Sequence, residues 1–98
     1  MEVKIVREPK GGPDVIFIGD ASRETLLLRA GDYLSVRGFT ARVVTLPEGI
    51  PSLKALSAKE REKALEGAVP YLSVCEEPSL ANADAMALSN AALKEIQI

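Results

Sequence analysis

The chain has 98 residues, with twelve Lys or Arg against fourteen Asp or Glu and a formal net charge of -2 at pH 7. Because it lacks a basic excess and is only 4% aromatic, nucleic acid is not expected as a partner. The absence of His and the presence of a single cysteine exclude an internal disulfide, a His-based catalytic triad and most zinc sites.

Two strands are predicted near the N-terminus. Apolar and charged residues alternate from Val3 to Arg7, which favours a half-exposed edge strand. The turn-rich run from Pro9 to Pro13 ends it, and residues 14–18 then form an apolar strand that is buried on both faces. Because the link is short and rich in turn residues, we expect these two strands to pair antiparallel.

A helix is predicted from about Arg23 to Arg37. Ser22 is a favourable N-cap residue, and Gly38 can end the helix in a left-handed conformation. Gly31 weakens the helix by about 1 kcal/mol relative to Ala, and so indicates close packing on the sheet. Apolar side chains at helical spacing form its buried face: Leu26, Leu27, Ala30, Tyr33 and Leu34.

The alternation of strands and helices continues after this helix. Residues 41–46 are predicted to form a strand that ends at Pro47, and residues 49–51 to form a loop. Ser57 and Glu60 have the spacing of a capping box, which opens a short helix that ends before Gly67.

The last predicted strand runs from Tyr71 to Cys75, where the lone cysteine is expected to be a small buried side chain. A final helix begins after Ser79. Its small apolar stripe is expected to pack on the sheet, with a second protein as the alternative, and consists of Ala81, Ala85, Leu88, Ala92 and Ile96.

The predicted order of elements is β-β-α-β-α-β-α. Strands that are separated by helices are expected to lie parallel and to be joined by right-handed crossovers. Residues 1–98 are therefore predicted to form a single α/β domain. We expect a three-layer α/β/α arrangement around a mostly parallel sheet of about four strands, with one antiparallel edge strand.

Several motifs occur in an order that is typical of a known family. An apolar strand from Pro13 to Ile18 precedes a small-residue turn and an amphipathic helix. The valine-rich strand from Thr40 to Pro47 closes on a polar residue, an apolar residue and Pro, and a polar helix at residues 59–65 leads to a strand ending at Glu76. Over residues 13–79, this order and spacing resemble the C-terminal domain of transketolase.

The resemblance implies a role without catalysis in this domain. In transketolases and related thiamine-dependent enzymes, thiamine diphosphate and Mg²⁺ lie between two other domains, and the C-terminal domain packs against them at the dimer. The family's diphosphate-and-magnesium signature has no counterpart in this sequence. The resemblance therefore implies that this domain holds no cofactor or metal, and that its partner is a protein with thiamine-binding domains or a second copy.

Polar residues follow the predicted parallel strands. Residues 19–22, with Asp20 and Ser22, follow one strand, residues 45–48, with Glu48, end the next, and Glu76 and Glu77 follow the last. Ligands bind at the carboxyl ends of parallel strands, so these residues form a candidate binding edge. Amides at the helix start could hold an anion, although the carboxylates repel phosphate. The carboxylates could also hold Mg²⁺ or Ca²⁺, contact a basic partner or lie solvated on the rim.

Three functions stay open at this point. The leading hypothesis is a non-catalytic accessory or interaction domain of a thiamine-dependent enzyme. The alternative is a subunit or fragment of a split thiamine-dependent transferase, and a weaker one is a small-ligand-binding regulatory domain. The longest apolar run, Val15 to Ile18, is too short for a membrane span and the N-terminus lacks a signal-peptide layout. A cytoplasmic location without membrane partners is therefore expected.

Overall fold

A mixed β-sheet organises residues 3–66, 71–73 and 85–97, which are the residues that the computed structural model describes. For Ile50, residues 71–73 and Gln97, only the backbone is described. The strands are β1 (Lys4–Arg7), β2 (Val15–Gly19), β3 (Ala41–Thr45) and β4 (Tyr71–Ser73). The helices are α1 (Glu24–Val36), which follows a 3-10 turn at Ala21–Arg23, α2 (Ile50–Leu53), α3 (Ala58–Leu65) and α4 (Ala85–Gln97).

The strand order across the sheet is β1-β3-β2-β4. β2 lies parallel to β3 and β4, whereas β1 pairs antiparallel with β3. The α/β class and the mixed sheet are as predicted, but the predicted pairing of β1 with β2 is wrong. β2 is buried along its whole length and has parallel neighbours on both sides, so the half-exposed β1 takes the outer edge of β3 instead.

Alternate residues of the strands enter two separate apolar clusters. Val15 and Phe17 belong to the cluster that contains α1 and α4, and Ile16 and Ile18 belong to the cluster that contains Ala64 of α3. The predicted helix face is buried at Leu27, Ala30 and Leu34, but Tyr33 is 37% exposed and lies outside it. The prediction for Tyr33 is wrong because its position lies at the margin of the helix face that the sheet covers.

The ends of the helices follow local sequence signals. Gly38 has a φ of 85°, and the N–H of Phe39 donates to Leu34 O at 3.1 Å, as expected for a left-handed helix end. The capping box of α3 is present, with the N–H groups of Glu60 and Ser57 each donating to the other's side chain at 3.2 Å. The Ser57 hydroxyl also donates to Glu60 Oε1, at 3.0 Å. The bonds from the Ser57 amide and hydroxyl hold the pKa of Glu60 below its ordinary value.

The prediction of a loop at residues 49–51 is wrong, because Ile50–Leu53 forms the short helix α2. Gly49 precedes it with a φ of 72°, and Pro51 lies in its first turn. Proline fits this position because the first amides of a helix have no partner within the helix.

Helix α4 buries its small-residue stripe at Ala85, Leu88 and Ala92, and Ile96 is half-buried. The predicted helix start after Ser79 and the stripe residue Ala81 lie outside the described residues, as does the predicted end of β4 at Cys75. Among the described helices, none is long and apolar enough to cross a membrane.

One charged side chain lies inside the sheet. Arg42 of β3 is 4% exposed, and its register partner in β2 is Ile16. Its Nε and Nη2 donate to the two carboxylate oxygens of Glu8 at 2.5 and 2.8 Å, and its Nη1 donates to Ala64 O at 2.9 Å. The guanidinium therefore joins the segment after β1 to β3 and to the last turn of α3.

A β-bulge in β1 brings Arg7 into contact with α1. Ile5 pairs with Val44 and Arg7 with Val43, so Val6 is the extra residue. Arg7 Nη1 donates to Asp32 Oδ1 at 2.6 Å and to Leu28 O at 3.4 Å. A Cβ atom at Gly31 would lie 3.0 Å from Arg7 Nη1. The close packing expected of Gly31 is thus packing against the arginine of the edge strand.

Removing the carboxylate that pairs with Arg42 should destabilise the fold. We expect Glu8→Ala to lower the free energy of unfolding by about 2 kcal/mol, because a buried charge loses its counterion. The loss stays below that of a fully buried pair because Glu8 is 49% exposed, so water can replace part of the interaction that the carboxylate made with Arg42. Urea unfolding measures the change, with Glu62→Ala on the exposed face of α3 as the control. Equal losses in the two variants would contradict the role assigned to this pair.

The contact between Arg7 and Gly31 predicts a coupled pair of substitutions. Gly31→Ala should gain about 1 kcal/mol of helix propensity only when Arg7 is also Ala, since the new Cβ otherwise displaces the guanidinium. A double-mutant cycle measured by urea unfolding checks this coupling. Ser35→Ala on the exposed face of α1 serves as the control, because its effect should not depend on Arg7. If the effects of Gly31→Ala and Arg7→Ala simply add, the contact between the two residues does not contribute to stability.

Candidate functional site

The carboxyl ends of β2 and β3 meet at one edge of the sheet, which we call the strand-end edge. Gly19 lies opposite Thr45 in the parallel register, and the N–H of Leu46 donates to Gly19 O at 2.9 Å. The antiparallel β1 begins at the same edge, with Lys4 opposite Thr45. β4 is parallel to β2, with Ser73 opposite Ile18, so the edge combines the ends of three described strands with the start of β1.

Asp20 and Ser22, which follow β2, are hydrogen-bonded to each other. Asp20 Oδ1 accepts the N–H of Ser22 at 3.0 Å and also accepts its hydroxyl. The prediction that Ser22 caps the helix is wrong, because Asp20 is the N-cap of the 3-10 turn that leads into α1. A short Asp side chain reaches the amide two residues on. The Ser22 amide is thus bonded to a carboxylate and is not open to an anion.

Glu48 follows β3 in the turn before α2, and its side chain is exposed. Its N–H donates at 2.9 Å to the hydroxyl of Ser52, which is 3% exposed. The backbone at Glu48 is held while the carboxylate faces solvent. Glu76 and Glu77 lie outside the described residues. Asp20 and Glu48 thus follow neighbouring strand ends, and their role in binding stays a prediction.

A cavity of about 360 Å³ opens at the strand-end edge and is lined by Lys4, Ala21, Thr45 and Pro47. Ala21, Thr45 and Pro47 belong to the segments 19–22 and 45–48 that were expected along this edge, whereas Lys4 was not expected there. A signal for Lys4 was available, since an antiparallel strand begins where its partner ends, which brings its first residue to the strand-end edge. Thr45 ends β3 at this edge, as expected, and is 5% exposed.

The charges around this cavity are of both signs. Lys4 Nζ lies 3.7 Å from Glu24 Oε1, with the two side chains 66% and 34% exposed. An ion pair this exposed adds little stability, so the ammonium group can exchange partners readily. Within residues 3–66, 71–73 and 85–97, no three Cys, Asp or Glu side chains gather in a way that could hold a metal ion. The cavity is suited to hydrogen bonding with a small polar ligand.

Comparisons with known proteins give a likeness in fold. No protein-family model matches the chain, and no curated protein matches its sequence. A transketolase mutant from Pichia stipitis, in complex with xylulose 5-phosphate, aligns with a TM-score of 0.75 over 97% of this chain at 18% identity. Another transketolase mutant from this organism, in complex with fructose 6-phosphate, aligns with a TM-score of 0.60 over 74% of the chain at 26% identity.

The likeness covers a small part of those enzymes. This chain spans 18% of the first transketolase chain and 10% of the second. The chain thus resembles transketolase structures over less than a fifth of their length, which is consistent with a small domain like the transketolase C-terminal region.

The cap at the strand-end edge can be tested by two substitutions. Asp20→Ala should lower the free energy of unfolding by about 1 kcal/mol, since it removes the acceptor that caps the 3-10 turn. Ser22→Ala should cost clearly less, because the serine hydroxyl only donates to Asp20. Urea unfolding of both variants makes the comparison. A larger loss of unfolding free energy for Ser22→Ala than for Asp20→Ala would show that Ser22 is the capping residue.

Proposed function

We propose that the chain is a non-catalytic, cytoplasmic accessory or interaction domain that supports the assembly of a thiamine-dependent enzyme. The observation that carries the proposal is the alignment of 97% of this chain with 18% of a transketolase chain. A domain with this fold therefore occurs as a minor part of an enzyme whose remaining length has no counterpart here. We also infer that the two apolar clusters on the sheet amount to a full three-layer α/β/α arrangement.

The partner in this proposal is a protein that carries thiamine-binding domains, with a second copy of this chain as the alternative. Thiamine diphosphate and Mg²⁺ would be bound by those partner domains and not by this one. The described surface supports an interaction role, because exposed apolar side chains remain on α1 and α4, at Val36 and Met86. Interfaces between proteins commonly contain such side chains beside polar ones.

A split enzyme is the second candidate. In that case this chain is a subunit whose transferase partner is active only in the complex. The likeness to transketolases crystallised with sugar phosphates favours this candidate over an unrelated enzyme class. A third candidate, a small-ligand regulator, rests on the cavity at the strand-end edge.

Titration and mixing experiments separate these functions. The isolated chain, titrated calorimetrically with thiamine diphosphate and Mg²⁺, should give no saturable heat. Mixed with thiamine-binding domains encoded in the same genome, it should form a complex on size exclusion with light scattering, without a change in ketol transfer.

The outcomes of these experiments are distinct. Transfer that appears only in the mixture would identify a split-enzyme subunit and overturn the accessory role. Micromolar binding of thiamine diphosphate by the isolated chain would overturn both the accessory role and the split-enzyme role, because each places the cofactor in partner domains. Failure to form any complex at tens of micromolar protein would leave the cavity-based regulator as the remaining candidate.

A further inference from the structure

One flank of α1 carries exposed arginines beside exposed apolar side chains. Arg29, Tyr33, Val36 and Arg37 are spaced i, i+4, i+7 and i+8, which places them along one side of the helix. Val36 is 85% and Tyr33 37% exposed, and both arginines are exposed. We call these residues the basic flank.

The two carboxylates of α1 are each paired with a cation of β1. Glu24 lies 3.7 Å from Lys4 Nζ, and Asp32 accepts from Arg7 at 2.6 Å. These are the acidic residues of the helix. Asp32 lies three residues after Arg29 and four before Val36, so it borders the basic flank, where its carboxylate is bonded to Arg7. Among the described residues, no carboxylate forms an ion pair with Arg29 or Arg37.

The bonding capacity of the flank is largely unused within the fold. Arg37 Nη1 donates to Tyr33 O at 2.9 Å, which leaves the other N–H groups of that guanidinium available. A single exposed arginine or valine needs no explanation. Two arginines around an exposed tyrosine and valine are a different case, because Tyr and Arg are enriched among the residues that dominate protein interfaces.

We propose that the basic flank is the docking surface for an acidic protein partner, whose Asp or Glu side chains surround an apolar contact. Guanidinium groups bind carboxylates through paired hydrogen bonds, and Tyr33 and Val36 supply the apolar area. A nucleic acid fits less well, since one tyrosine and two arginines offer little stacking and few phosphate contacts. This surface specifies the chemistry of the interaction proposed above and rests on that proposal.

Charge reversal tests the surface with the thiamine-binding domains as the probe. Arg29→Glu with Arg37→Glu should weaken binding at least tenfold by calorimetry, because two carboxylate contacts become repulsive. The matched control, Lys59→Glu with Lys63→Glu on the exposed face of α3, makes the same change in charge and should stay within twofold. Thermal melts show that each variant is folded, and Arg29→Lys with Arg37→Lys should lose less affinity than the charge reversal, because the charge stays while the paired hydrogen bonds are lost.

A second probe does not depend on the thiamine-binding domains. A designed helical peptide with Glu and Leu on one face should shift the amide resonances of residues 26–37 in the ¹⁵N-labelled chain. The same peptide with Lys in place of Glu should not, and neither should a single-stranded RNA. Equal responses to both peptides, a stronger response to RNA, or shifts that persist after the charge reversal would overturn the docking surface.

The two probes keep the two proposals apart. If the thiamine-binding domains bind the charge-reversed chain as well as the unchanged one, the docking surface is wrong and the accessory function stands. If those domains do not bind but the acidic peptide shifts the basic flank, the surface stands and the accessory function is wrong.

Discussion

A buried guanidinium joins the sheet to the helices on one of its faces. Arg42 lies on β3 between apolar neighbours, at a position where the alternation of the strand supplies a core side chain. A charge there is tolerated because Glu8 neutralises it and Ala64 O accepts a further hydrogen bond. The positions of the segment after β1, of β3 and of α3 therefore depend on one another, and a shift of α3 would leave a buried N–H of the guanidinium without its acceptor.

The edge strand β1 shapes both surfaces that carry functional proposals. Lys4 lines the cavity at the strand-end edge and also lies beside Glu24 of α1. Arg7, turned toward α1 by the bulge, pairs with Asp32. Because these two cations take up the acids of α1, the arginines on the basic flank have no carboxylate of their own helix to bind. The internal pairing of charges thus leaves positive charge for a partner.

The strand-end edge and the basic flank serve different candidate functions. The edge offers a small cavity with one ammonium group and one hydroxyl group, at the sheet position where α/β proteins bind ligands. The flank is convex and belongs to a helix, which suits contact with another protein.

Local signals in the sequence determined the class of fold, the strands, the end of α1 and the start of α3. The capping box at Ser57, the left-handed Gly38 and the apolar run of β2 depend only on residues close in the chain, so they were predictable. The sequence could not show that β1 pairs with β3, because strand pairing is decided by which edges the other strands leave open. It also could not assign Arg42 to Glu8 or Arg7 to Asp32, since these partners are distant in the chain and meet only when the sheet and helices have packed. The candidate site divides in the same way: the strand ends, Thr45 among them, followed from the sequence, whereas Lys4 joined them through the antiparallel pairing of β1 with β3.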